Sequence, residues 1–330
     1  MNLACRGRLL RRRPWGRLAF GLLLIFSVTS CVMARRADFE APEQLRETAQ
    51  LVAAVKEFGR TLGIESTEAL SQTAYNGPAL SMLWLWLQRS GTLAVRGPID
   101  VRMAVGFSSA TEQAKIEQVY RVDGYSVYYR QGEEFADERS VATVGFAAEG
   151  SVRRVEVILH EDLHGDNNFD LPWEIEEAIV TPLGALAAAE FFRHNAEEEN
   201  FKRARAALEE ERKLSRELDD VIKEAERIFK THALEEAKQK ILALISSYPT
   251  YSRQFQRQIA GHHPATALEA KLSHDFAYFR YFDAIAALSQ VAPDLKTLIH
   301  DLKKLPHDAT AETTEHQLQA LKLKYSANVK

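Results

Sequence analysis

Cysteine is nearly absent from this chain. Only Cys5 and Cys31 occur, both near the N-terminus. Beyond residue 31 there can be no disulfide, no thiolate nucleophile and no cysteine zinc ligand. A strong charge of one sign is also lacking: the formal net charge is −4 and the pI about 6.2. Basic residues cluster only at the N-terminus, so nucleic acid is excluded as an expected partner. Long apolar runs are missing as well. Leu18 to Val28 is too short for a comfortable membrane span. No internal repeat and no low-complexity tract is present. What remains is the composition of a folded protein, 46% hydrophobic and 27% charged. After a leader, about 300 residues are left for one large domain or two modest ones.

The N-terminus reads as an export signal. Arg6, Arg8, Arg11, Arg12, Arg13 and Arg17 form a basic region, followed by the short apolar run. It ends at Val28-Thr29-Ser30-Cys31, which resembles a bacterial lipobox whose cysteine carries the lipid. An uncleaved membrane anchor is the alternative. The expected organisation is a lipoprotein signal peptide over 1–31, a tether over 32–42, a domain over 43–307 and a polar tail over 308–330. The domain divides into an α/β part over 43–150 and a helical part over 151–307. This places the protein in the cell envelope, lipid-anchored on its periplasmic or extracytoplasmic side.

Within the domain, Leu45, Ala49, Val52, Val55, Phe58 and Leu62 form one helical stripe that stops at Gly63. Strands are expected over 79–87, 92–105, 124–130 and 141–146, with a helix over 109–122. Further helices are expected over 173–194, 197–230, 234–248, 264–291 and 294–305. The charged pair over 197–248 reads as an antiparallel hairpin with solvated faces, and it is also a candidate surface for a protein partner. The fold class is α+β, mostly helical. A small mixed sheet precedes a zincin-like helix and a C-terminal helical bundle.

The segment carrying chemistry is His160-Glu161-Asp162-Leu163-His164. This is HExxH, and about 0.02 chance matches are expected in a chain of this length. Positions four apart share a helical face, so His160 and His164 can direct both imidazoles at one Zn2+ ion. Glu161 then stands beside the site as general base for an attacking water. Val152 to Leu159 is β-branched enough for a strand. The apolar spacing Val152, Val155, Leu159, Leu163 favours a helix instead. In the gluzincin arrangement the third ligand is a glutamate of the next helix. Glu174, Glu176 and Glu177 are available, and helical geometry sets Glu176 apart from the other two. Glu177 is preferred, because Glu174 lies in the first turn, where the helix dipole alone favours an acid. Asp166 and Asp170 are candidates to orient an imidazole. His274, Tyr278, Arg280 and Tyr281 share an aromatic helix from which a transition-state donor can come, Tyr281 or Tyr278 foremost, unless they are core packing. Glu149 is a candidate for a substrate amine, and His262-His263 reads as an exposed loop.

Several stretches together resemble the bacterial family of predicted aminopeptidases, which are HExxH lipoproteins. They are Cys31, the segment Glu57 to Ile64, the segment Asp123 to Tyr128, the pair His160 to His164 with Glu177 downstream, the charged hairpin, and the segment Phe276 to Pro306. The resemblance implies a lipid-anchored zinc metallopeptidase, aminopeptidase-like, acting on peptides in the envelope. Asp162 departs from the family pattern, which carries an apolar residue there. That departure motivates the alternative of a catalytically inactive zincin-fold lipoprotein serving as a binding or structural protein.

Overall fold

Helix α4, Trp173–His194, lies at the centre of the unit that begins at Ala41. It is apolar on every side, with Ala178, Ile179, Val180, Leu183, Ala187 and Phe192 all buried. A helix of that kind must be surrounded. Preceding it in the computed structural model are α1 (Glu43–Thr61), α2 (Val144–Ala148) and α3 (Ser151–Leu163). Following it are α5 (Glu198–Thr231), α6 (Leu234–Ser246), α7 (Pro249–Gln258), α8 (Pro264–Phe279), α9 (Phe282–Val291), α10 (Leu295–Leu302) and α11 (Ala311–Ala327). The structure describes residues 43–73, 82–104, 118, 124–132, 141–165 and 167–327. Helices α3, α5, α8 and α9 pack on α4. The chain from Ala41 onward is one compact unit.

The protein is mostly helical with little sheet, an α+β architecture. Among the described residues the strands fall into two small sheets, one antiparallel and one parallel. Strands β2 (Met82–Arg89), β3 (Val101–Ala104) and β4 (Tyr125–Gly132) form an antiparallel sheet in the order β3-β2-β4. Strands β1 (Gln72–Thr73) and β5 (Val141–Ala142) pair in parallel. Trp86 lies opposite both Arg102 and Tyr128, and Trp84 lies opposite Arg130. Paired residues project to the same side of a sheet. That side meets α8, which packs on β2 and β4.

Two large apolar clusters dominate the core of the described residues. One joins α1, α3, α4 and α9 to α11. The other fills the space between the antiparallel sheet and α5 to α8, around Trp86, Tyr128, Leu218, Tyr251 and Leu272. No helix among the described residues is long and apolar enough to cross a membrane.

Several expected elements differ. The strand over 141–146 stops at Ala142, because the Thr143 hydroxyl caps α2 by accepting from the Phe146 N–H at 3.0 Å. The strand over 92–105 shrinks to Val101–Ala104. Its earlier backbone bonds to helices instead: Ala94 N–H to Ser273 at 3.0 Å and Ile99 N–H to Glu174 at 3.0 Å. The single helix over 264–291 is two, α8 and α9. Ser215 of α5 splits them, donating its hydroxyl to the Phe279 carbonyl and accepting the Asp283 N–H. The sequence pattern assigned no element to Pro249–Gln258. Its N-terminus is stabilised from another helix, where Glu217 accepts the N–H groups of Thr250 and Tyr251, each at 2.8 Å. The polar tail is a packed helix: Leu318, Leu321 and Tyr325 of α11 enter the first cluster, and the Tyr325 hydroxyl donates to Asp301 at 2.8 Å. Apart from residue 118, which is helical, the helix expected over 109–122 lies outside the described residues, as do the tether and the segment bearing Cys31.

Candidate metal centre

Helix α3 supplies two histidines. It forms as its apolar stripe requires, with Val155, Leu159 and Leu163 fully buried. It ends one residue earlier than the motif predicts. Leu163 is its last residue and His164 is extended, with φ −71° and ψ 155°. Gly165 explains the stop. Its φ of +107° reverses the chain, and Phe169 N–H then donates to the Leu163 carbonyl at 3.1 Å. Asn168 ties the reversed loop down by donating to the Asp162 carbonyl at 2.6 Å and the Glu65 carbonyl at 2.8 Å.

Helix α4 supplies the acid. Glu177 lies one turn into it and is buried. The two helices approach closely because residue 184 is glycine. A β-carbon there would stand 3.1 Å from His160 Cβ and 3.2 Å from His160 Cα. Together they bring three ligand-type atoms to one point. His160 Nε2 and His164 Nε2 are 3.2 Å apart. Glu177 Oε2 is 3.4 Å from His160 Nε2 and 3.9 Å from His164 Nε2. Ligands at about 2.0–2.1 Å around a tetrahedral zinc stand about 3.3–3.4 Å from one another. The carboxylate oxygens of Glu177 differ sharply. Oε1 accepts the Trp173 indole N–H at 2.9 Å, whereas Oε2 is buried with no hydrogen-bond partner. A buried oxygen without a donor is costly unless a cation or donor completes it. The residues present therefore fit a metal ion. Glu161 closes the group, with a ligand-type oxygen within 4.8 Å of those of both histidines.

Glu176 was expected to point away from the site, and it does not. His164 Nδ1 donates to Glu176 Oε1, and Glu176 Oε2 accepts the Leu171 N–H at 2.9 Å. The prediction assumed that His164 continued the helix. Because it is extended, its ring presents Nδ1 to the first turn of α4. A carboxylate on the distal nitrogen fixes the tautomer and leaves Nε2 as the ligand atom.

The electrostatics follow from this crowding. Burial pushes the Glu161 carboxyl up, against the pull of His160 and His164. Burial also works to raise Glu177, but His164 and His160 overcome it and hold that carboxylate down to about 2. Burial disfavours charge on His164, yet Glu177 and the hydrogen bond to Glu176 win and raise it to about 9. A positive charge is what this pocket demands, and protons and a metal ion compete for that role.

The departure at Asp162 has a structural cause. Asp162 is 1% exposed and points away from the histidines, toward α1. It pairs with the buried Lys56 ammonium and accepts from the Thr67 N–H at 3.1 Å and the Thr67 hydroxyl at 2.7 Å. Lys56 and Thr67 replace the apolar neighbours that an apolar residue here would need.

The remaining candidates separate. Tyr278 is half-buried beside the site. Its ring meets Trp173 at 5.8 Å and His274 at 5.0 Å, and burial with the Glu177 charge raises its hydroxyl, so it stays protonated. Tyr281 is not brought there; its hydroxyl donates to the Ala311 carbonyl at 3.3 Å, in the core beneath α11. Arg280 donates to the Val95 carbonyl at 2.7 Å. His274 is buried, with Nδ1 bonded to Asp275 at 2.9 Å and Nε2 unpartnered. Glu174 is engaged by Ile99. Asp170 is exposed and pairs with His307 at 3.3 Å rather than with a motif histidine. Asp166 lies outside the described residues. Glu149 sits at the opposite end of α3, about 15 Å along the helix from His160. His262 packs its ring on Tyr129 at 4.1 Å and so is not an exposed loop residue. Sequence reasoning missed Arg102 and Arg130, whose positions depend on strand register.

No protein-family model matches this chain, and neither a curated protein nor a solved structure matches it.

Proposed function

We propose that the protein is a zinc-dependent peptidase of the HExxH type, with His160, His164 and Glu177 as ligands and Glu161 as general base. The observation that carries this is the close triangle of His160 Nε2, His164 Nε2 and Glu177 Oε2, the last of them buried without a partner. Zinc, when bound, supplies a Lewis acid that acidifies water and polarises a peptide carbonyl. Glu161, held above its usual range by burial, takes the proton from the attacking water and delivers it to the leaving amine. Glu176 holds His164 in one orientation throughout. Tyr278, protonated and beside Glu177, donates to the oxyanion of the tetrahedral state.

The family resemblance supports the same reading and adds envelope localisation through Cys31. The inactive alternative was motivated by Asp162. The salt bridge to Lys56 accounts for that residue without reference to activity. The experiment is Glu161→Gln. It is expected to retain the zinc of the wild type and lose hydrolysis of a peptide library. Turnover surviving in Glu161→Gln would refute the assignment.

A further inference from the structure

The rim of this site is cationic, although its wall is made of carboxylates. Arg102 on β3 is exposed, and its guanidinium lies between two indoles, 4.7 Å from the Trp84 ring centre and 4.3 Å from that of Trp173. Trp173 is also the residue whose indole N–H donates to Glu177. One aromatic ring thus separates the guanidinium from a ligand carboxylate. Arg130 on β4 is exposed as well and lies 5.7 Å from the Trp86 ring centre. The charge of Arg102 reaches Glu177, and both arginines reach Tyr278.

Among the described residues, neither arginine pairs with a carboxylate. Several exposed arginines of the helices do so: Arg153 with Glu156, Arg193 with Glu190, Arg227 with Glu224. A guanidinium stacked on aromatic faces keeps its N–H edge free and already oriented. That edge matches a carboxylate with two parallel hydrogen bonds. Recognition of a substrate amine would instead need a free acid near the ligands. Among the described residues beside the ligands, Glu176 and Glu174 are engaged, Glu161 and Glu177 belong to the chemistry, and Glu149 is at the far end of α3.

Resting on the peptidase reading, we infer that Arg102 and Arg130 bind a carboxylate of the peptide substrate and so set its specificity. This departs from the amine recognition that an aminopeptidase-like enzyme implies. The carboxylate has two sources, the C-terminus of the peptide or an acidic side chain.

The test is binding, read from tryptophan fluorescence at low salt, of three acetylated peptides of one parent sequence. One ends in a free carboxylate, one is the C-terminal amide, and one is the amide with a glutamate inserted. The zinc-loaded wild type is expected to bind one carboxylate-bearing peptide about tenfold more tightly than the plain amide. Which one gains identifies the source. In Arg102→Met and Arg130→Met the ratio is expected to fall toward unity, and Arg102→Lys is expected to recover only part of it, because a lysine cannot form the fork. Equal binding of all three by the wild type, or a ratio that survives in the Arg102→Met/Arg130→Met double variant, would overturn the inference. Hydrolysis reports separately. Equal cleavage of all three peptides removes this inference and leaves the peptidase. Carboxylate preference in binding without cleavage of any peptide leaves this inference and removes the peptidase.

Discussion

Replacing Asp162 with alanine should damage the fold more than the metal site. Asp162 is the acceptor for the Lys56 ammonium, whose side chain is 9% exposed, and for two donors of Thr67. In the variant, Lys56 keeps only the Thr67 carbonyl at 3.0 Å. Removing one partner of a buried pair costs about 3–5 kcal/mol, much of it from the charge left behind. At about 2–4 °C per kcal/mol for a domain of this size, Tm should fall by on the order of 10 °C. Differential scanning calorimetry reads this directly. The double variant Lys56→Met/Asp162→Leu removes both charges with similar volume and should recover most of the loss. Zinc content of folded Asp162→Ala, measured well below its Tm, should equal that of the wild type. A wild-type Tm in Asp162→Ala would refute the structural role. So would a double variant no more stable than the single.

Three other outcomes follow from the geometry. Gly184→Ala would normally gain about 1 kcal/mol in a helix interior. Here its β-carbon meets His160 within 3.1–3.3 Å, so zinc affinity should drop and Tm should not rise. A more stable variant with unchanged affinity would contradict the close approach. Glu176→Gln removes the charged acceptor on His164 Nδ1 and should weaken zinc about 10–100-fold in a chelator competition. Unchanged affinity would remove Glu176 from the site. Burial lowers the His274 pKa to about 4, against an ordinary value of about 6.5, while Asp275 is held down to about 2. Between those two histidine values the unfolded chain binds the extra proton. Stability is therefore full above about pH 6.5 and falls, by on the order of 3 kcal/mol, as pH drops to about 4. Asp275, charged across that window, loses its own contribution only below it. Urea unfolding at pH 7 and pH 4.5 should show this loss in the wild type and a smaller one in His274→Gln. Equal losses would contradict it.

The helices were legible wherever one local pattern decided them. Trp173–His194 starts after Pro172 and is largely apolar from Ala178 to Ala189, and α3 shows its stripe. The proposed metal ligands were legible too, because spacing along one helix and the next constrains them. What escaped depended on distant partners. Ser215 divides α8 from α9 across some 65 residues of chain, and Glu217 starts α7 from another helix. The role of Glu176 was hidden because one glycine, Gly165, ends α3 before His164. The purpose of Asp162 was hidden because its partner Lys56 lies on another helix, where a lysine reads as a solvated residue. Arg102 and Arg130 flank the site only through the register of β2 with its two neighbours.

Elemental analysis of the purified full chain tests the central claim most directly. After exposure to zinc and removal of excess, the wild type should hold one zinc per chain. His160→Ala and His164→Ala should hold almost none, and Glu161→Gln should hold as much as the wild type. Wild-type protein without zinc, or zinc that persists unchanged in His160→Ala and His164→Ala, would contradict it.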